Sequence, residues 1–291
     1  ACPGALLLFR MGDFYELFYE DAEVAAKTLG LTLTTRDKNR PNPVPMAGFP
    51  HHQLEAYLAK LVQAGLRAAI CDQVEDPKQA KGLVKREVTR IVSAGTLTDD
   101  ALLDPQQSNY LAAVVPGEPC GLSWIDLSTG RFLAGVFAAA ALPDELARIS
   151  PAECLLSEES KELAVTASER VAVTYRRPWA FSVDAAMKSL TAHFGTQSLE
   201  GFGFGDDDRP AVAAAGAVLD YLNETQRCGL DHIDRLERYQ RGSALEIDES
   251  TRRSLELART LRTGERAGSL LGVIDRSVTA MGSRRIGEWL A

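Results

Sequence analysis

Gly12-Asp13-Phe14-Tyr15-Glu16-Leu17-Phe18 sets an aromatic and an acid two positions apart, directly after a flexible glycine and its aspartate. In an extended segment, positions i and i+2 share a face, so Phe14 and Glu16 reach one target together. In a helix the same two side chains diverge by roughly 200°. The stretch therefore decides both the local fold and the chemistry open to it. Taken alone, an aromatic-x-acid triplet also fits a buried strand, because Phe is commonly a core residue.

Working outward, Leu6–Phe9 reads as a short apolar strand before the triplet. After it, Asp21–Leu29 is a helix that stops at Gly30. Leu31–Thr35 is β-like, and Asn39-Arg40-Pro41-Asn42-Pro43 is a loop by its prolines. Gln53–Ala64 is helical, with Leu54, Leu58, Leu61 and Val62 at i, i+4, i+7 and i+8 and Gly65 where a terminating glycine belongs. Ala68–Cys71 is a buried strand, and Val84–Val92 alternates like a strand with one wet face. Residues 1–93 thus form a mixed α/β domain.

Residues 94–108 carry Gly95, Asp99, Asp100, Asp104 and Pro105 without periodicity and read as a linker. Residues 109–229 form a second α/β domain. It opens with a three-strand meander: Tyr110–Val115, Cys120–Asp126 and Arg131–Phe137, joined at Pro116-Gly117-Glu118-Pro119 and Leu127-Ser128-Thr129-Gly130. A helical stretch near Asp144–Ile149, a strand at Glu153–Leu156, a loop over Gly201–Asp208 and an Ala-rich helix at Ala211–Gln226 follow. Residues 230–291 begin an all-α region. Asp248 caps a helix from Glu249 to about Arg262, and a second helix starts near Thr279 and runs to the last residue.

Composition narrows the class. With 45% hydrophobic and 25% charged residues, the chain has the make-up of an ordinary globular protein. No apolar run approaches the ~18 residues of a membrane span, and no secretory signal opens the chain. The five cysteines, at 2, 71, 120, 154 and 228, are scattered without zinc spacing, which fits free thiols in a reducing cytoplasm. The net charge of −8 argues against a general nucleic-acid sponge. It is unevenly spread: residues 1–93 hold 12 Lys/Arg against 11 Asp/Glu, and the remainder holds 20 against 29. The basic residues of the first part cluster at Arg36, Lys38 and Arg40, and at Lys78, Lys81, Lys85, Arg86 and Arg90. Such patches can contact phosphates or simply be solvated.

The run Leu6–Phe18 resembles the start of the MutS family of DNA mismatch-repair proteins. So does Pro45-Met46-Ala47-Gly48-Phe49-Pro50, with His52, Tyr57 and Leu58-Ala59-Lys60-Leu61 after it. Pro77, Lys81-Gly82, Arg90-Ile91-Val92 and Gly95-Thr96-Leu97 continue the pattern. Near the end come Thr251-Arg252-Arg253-Ser254-Leu255-Glu256-Leu257 and Met281-Gly282-Ser283-Arg284. The resemblance runs along nearly the whole chain in the family's order and is thinnest over residues 139–205. It implies a mismatch-binding domain at 1–93, a ribonuclease-H-like connector at 109–229 and the start of a helical core and lever at 230–291.

The resemblance also implies a role for the opening triplet. Phe14 would be a wedge that enters the minor groove and stacks on a mispaired base, kinking the duplex. Discrimination would then come from deformability rather than a sequence code, which suits a protein that meets many mispairs or small loops. Glu16 is costly beside phosphates, a cost that makes sense if it hydrogen-bonds the stacked base and penalises DNA offering no such partner. Met11, Arg36, Lys38, Met46 and His52 match the family's mismatch-binding module. Met11 and Met46 could equally fill groove contacts or core gaps. Arg36 and Lys38 would position the DNA backbone without reading sequence. His52 follows a proline and could be a helix-start residue with no contact.

No Gly-x-x-x-x-Gly-Lys-Ser/Thr occurs in the chain. The expectation is a fragment without ATPase activity, from a homodimeric clamp of the bacterial cytoplasm and nucleoid that binds ATP and Mg²⁺ elsewhere and meets downstream repair proteins through its connector. Two other readings are open. A protein-interaction or adaptor module would use the acidic connector. A ribonuclease-H-like nuclease would need Asp126 to be joined by further carboxylates around metal ions. No second strand-borne acid is evident, and Asp206-Asp207-Asp208 reads as a solvated turn. Gly201-Phe202-Gly203-Phe204-Gly205 is no dinucleotide fingerprint, because Asp206 stands where the third glycine would be.

Overall fold

A computed structural model describes residues 4–36, 42–75, 84–99, 102–162, 171–226, 229–240, 242 and 245–290. The chain divides into two compact units, residues 1–97 with 222–230, and residues 98–221 with 231–291. Each is built around its own six-stranded sheet.

In the first unit, β1 (Ala5–Met11) and β2 (Phe14–Phe18) form an antiparallel hairpin that turns on Gly12 and Asp13. Gly12 has φ +60°, a conformation that disfavours a side chain. Helix α1 (Tyr19–Leu29), β3 (Thr34–Arg36), β4 (Val44–Pro50), α2 (Leu54–Gln63), β5 (Arg67–Gln73) and β6 (Arg86–Val92) follow. The sheet order is β3-β4-β2-β1-β5-β6. Among the described residues of this unit, only β1 and β5 pair in parallel, as their connection through the helices permits. The expected β segment at Leu31–Thr35 is confined to β3.

Burial in β2 alternates with the strand period: Tyr15 and Leu17 are buried, while Phe14, Glu16 and Phe18 are not. Phe49 lies opposite Tyr15, and its ring sits 4.3 Å from that of Tyr57 in α2. The Tyr15 face is therefore the one the helices cover. Ala22, Ala25 and Leu29 of α1 and Leu58 and Leu61 of α2 supply the other half of this core. The helix ends are as the glycines foretold. Gly30 is left-handed and its N–H donates to the Ala26 carbonyl; the N–H groups of Gly65 and Leu66 donate to Val62 and Leu61. Asp21, in the first turn of α1, accepts the Leu7 N–H at 2.9 Å, a group beyond the three residues of β1 that β2 pairs.

The second unit opens with the expected meander: β7 (Tyr110–Val115), β8 (Cys120–Asp126) and β9 (Arg131–Phe137). Helix α3 (Leu142–Ile149) leads to β10 (Glu153–Ser157), which lies parallel to β7, and β11 (Ala172–Arg176) lies parallel to β10. Helix α4 (Val183–Phe194) and the part of helix α5 (Arg209–Gln226) up to Tyr221 follow. This is the mixed sheet expected of a ribonuclease-H-like connector. All of β8 is buried, so the sheet is covered on both faces, unlike the first one. Its sixth strand, β12 (Leu236–Arg238), pairs with β9 from beyond residue 229, in a region expected to be helical.

The remaining elements are α6 (Glu249–Ser254), α7 (Leu270–Ile274) and α8 (Ala280–Leu290). Asp248 caps α6 as expected, accepting the Thr251 N–H at 2.9 Å. The helix nevertheless stops well short of Arg262. Glu256 turns left-handed at φ +48°, and the carbonyls of Glu256 and Leu257 accept the N–H groups of Leu270 and Leu271. Tertiary hydrogen bonds have replaced the helical ones.

Two sites test this packing. A Cβ on Gly216 of α5 would stand 2.2 Å from the Ala186 Cβ of α4. Gly216→Ala gains up to about 1 kcal/mol of helix propensity but overpacks this crossing at about 1–3 kcal/mol. We expect a net loss of stability in chemical denaturation. Tyr15 donates its hydroxyl to Asp72 at 2.6 Å. Burial first, and the Asp72 carboxylate second, push the Tyr15 pKa up to about 12 from 10.0. Its contribution is thus full below pH 10 and lost as pH rises towards 12. Tyr15→Phe should cost about 1–3 kcal/mol at neutral pH, and wild type and variant should converge in stability at alkaline pH.

A candidate nucleic-acid interface on the open sheet face

The strand register assembles the site. Phe14 lies opposite Met11 of β1 and Pro50 of β4. Glu16 lies opposite Phe9 and Gly48, and Met46 lies opposite Phe18 and Thr34. Residues directly opposed across a sheet share a face, so these side chains stand on the side that the helices leave open. Phe14, at the turn end of β2, is 47% exposed, a large fraction for an aromatic paired on both sides by strands.

Phe14, Glu16 and Met46 line one groove of about 530 Å³ with Gly30, Leu31, Thr32, Thr34 and Gly48. The bare Gly48 keeps this groove open: a Cβ there would stand 2.9 Å from the Tyr15 carbonyl oxygen and 3.4 Å from the Glu16 Cγ. The result is a mostly apolar concavity with a flat ring at its edge and one carboxyl group. A ring so presented can stack on a planar partner, and a carboxylate can accept a hydrogen bond from it.

The structure thus brings Phe14, Glu16 and Met46 together. Met11 flanks Phe14 across the hairpin without lining the groove. The backbone of Arg36 pairs with Val44, two residues along β3 from the groove residue Thr34. Lys38, Arg40, Lys78 and Lys81 lie outside the described residues, as does the side chain of Arg36. His52 is exposed in the turn His51–Gln53 ahead of α2 and does not line the groove. Its neighbour His51, which sequence reasoning passed over, touches the hairpin instead, with its ring Nδ1 3.1 Å from the Asp13 carbonyl oxygen. Leu31, Thr32, Thr34 and Gly48 were also missed. The β2–β4–β3 register, which no local pattern reveals, places Thr34 and Gly48 here, and the connection from α1 to β3 brings Leu31 and Thr32.

The second basic cluster is partly consumed by the fold. Arg86 donates Nε to the Arg10 carbonyl at 2.7 Å and Nη1 to the Val84 carbonyl at 2.9 Å, with its guanidinium carbon 5.5 Å from the centre of the Phe9 ring. Lys85 pairs with Glu87 at 2.6 Å.

In the second unit, Asp126 is buried and accepts the Ser128 N–H at 3.0 Å and the Ser128 hydroxyl at 2.7 Å. It closes the β8–β9 turn. Among the described residues, no three His, Cys, Asp or Glu side chains gather where they could hold a metal ion. Asp208 departs from the expected solvated turn. It is buried, pairs with Arg238 at 2.9 Å and accepts the Gly205 N–H at 2.9 Å. Cys71, Cys120 and Cys154 are buried. Among the described residues, no helix is long and apolar enough to cross a membrane.

Comparison with known proteins agrees with this architecture. Family models described as MutS domain I, MutS domain II and MutS domain III match residues 1–101, 109–234 and 250–291. A protein of Rhodopirellula baltica described as DNA mismatch repair protein MutS is 54% identical over 312 aligned positions, which take in all of this chain and 35% of that protein. The chain therefore spans about a third of the length of this curated relative. With three domain models matched in succession and this identity along its whole length, the chain belongs to the MutS family.

Proposed function

We propose that this chain is the lesion-reading part of a DNA mismatch-repair protein. The observation that carries this reading is the half-exposed Phe14 ring beside Glu16 on an open sheet face, over one groove. Residues 1–93 engage double-stranded DNA containing mismatches or small loops. Phe14 enters from the minor groove and stacks on the mispaired base; Glu16 hydrogen-bonds that base. Opening a base step costs a few kcal/mol, and an aromatic–base stack returns about 1–3 kcal/mol. The balance is close, so the weaker stacking of a mismatch is enough to decide between the two duplexes.

Met11 and Met46 fill apolar contacts beside the wedge, Arg36 and Lys38 position the DNA backbone, and His52 is a further DNA contact. The connector, residues 109–229, relays the bound state and meets downstream repair proteins, and residues 230–291 open the helical core. The whole protein acts in the bacterial cytoplasm, on the nucleoid, as a homodimeric clamp. ATP and Mg²⁺ bind in a domain outside this chain, and the chain itself has no ATPase activity. The 54% identical relative carries the name of a mismatch-repair protein, which supports this assignment.

Two substitutions in the intact protein test the wedge. Phe14→Ala should bring the affinity for a G·T duplex down to that for its matched counterpart, measured by fluorescence anisotropy. A preserved ratio would remove Phe14 from the role. Glu16→Ala should lower discrimination more than total binding, since it also removes repulsion from phosphates. Equal losses for both duplexes would show that Glu16 is no selectivity element.

A further inference from the structure

The wedge sits at the tip of a hairpin, and the tip is where a hairpin is weakest. Gly12, Asp13 and Phe14 are all exposed. A hairpin closed by two residues has little stability of its own. Driving an aromatic ring between stacked bases loads that tip with a cost of a few kcal/mol per step. A turn that gives way would let the ring fold aside, and mismatched and matched DNA would bind alike.

Both turn carbonyls are held from outside the turn. Arg10 donates Nε to the Gly12 carbonyl. His51 donates its backbone N–H to the Asp13 carbonyl at 2.8 Å, which extends the β2–β4 ladder one step past the Phe14–Pro50 pair. The His51 ring turns Nδ1 to the same oxygen at 3.1 Å. A carbonyl oxygen can only accept, so this contact requires the proton on Nδ1. Pro50 makes this possible. It ends β4 extended, at φ −60° and ψ 137°, and sets His51 at the head of the turn beside the hairpin tip.

We infer that His51, with Arg10, is a positioning residue for the wedge: its Nδ1–H clamps the Gly12–Asp13 turn and fixes the angle at which Phe14 meets DNA. This rests on the mismatch-reading function proposed above. His51 acts through Phe14 and contacts no base. Asparagine is the conservative test, because its side-chain NH₂ occupies nearly the place of Nδ1–H.

The test compares wild type, His51→Ala, His51→Asn and Phe14→Ala in the intact protein. The readout is the ratio of affinities for a G·T duplex and its matched counterpart. His51→Ala should lower the ratio about fivefold or more, the weight of about 1 kcal/mol. It should leave matched-duplex affinity unchanged, and His51→Asn should restore the ratio. Nitrogen-15 spectra of the imidazole at neutral pH should show Nδ1 protonated. An unchanged ratio in His51→Ala while Phe14→Ala abolishes it would overturn the clamp and leave the wedge standing. So would failure of His51→Asn to rescue, or an unprotonated Nδ1. An unchanged ratio in Phe14→Ala would instead overturn the wedge, and the clamp with it.

Discussion

The register of β2 between β1 and β4 is the constraint on which the candidate site depends. Because side chains alternate with period 2, placing Tyr15 and Leu17 against the helices forces Phe14 and Glu16 to the open side. A slip of one residue would bury Phe14 and Glu16 and expose Tyr15 and Leu17. Several independent interactions oppose that slip. Tyr15 reaches Asp72 of β5, Phe49 packs on Tyr57 of α2, and Asp21 of α1 holds the Leu7 N–H. The site is thus exposed because the core beneath it is pinned.

The two sheets use the same alternation to different ends. The first is covered on one face only and leaves an apolar ring and an acid to the other. The second is closed on both faces. There Trp124, Leu133 and Phe137 pack with Leu142, Leu146 and Ile149 of α3. Its charged residues serve the fold: Asp126 closes a turn, Asp208 ties Gly205 to Arg238, and Glu153 accepts hydroxyls from Thr174 and Tyr221. Among the described residues of this unit, these acids are spent on turns, ion pairs and buried hydroxyls rather than gathered in threes around a metal position.

Much of the architecture was legible where a local pattern existed. The Phe14/Glu16 spacing, the Gly30 and Gly65 helix stops and the three-strand meander all follow from periodicity and turn chemistry within a few residues. What was hidden depended on partners distant in sequence. Strand β12 is three residues long and exists because β9 offers it an edge. Helix α6 is short because Leu270 and Leu271 take the carbonyls that would have continued it. Within the site, Thr34 and Gly48 enter through the β3–β4–β2 register, and Leu31 and Thr32 through the connection between α1 and β3. Of two adjacent histidines, motif reasoning chose His52, while backbone geometry turned His51 to the hairpin.

The central claim is that the Phe14 ring lies against a base at the lesion. Photo-cross-linking measures this directly. A halogenated uracil placed at the mispaired position of a G·T duplex couples on irradiation to an aromatic ring stacked on it. The account predicts an adduct mapped by mass spectrometry to Phe14, formed in far lower yield when the same base is correctly paired. An adduct on another residue, or equal yields on the two duplexes, would contradict it.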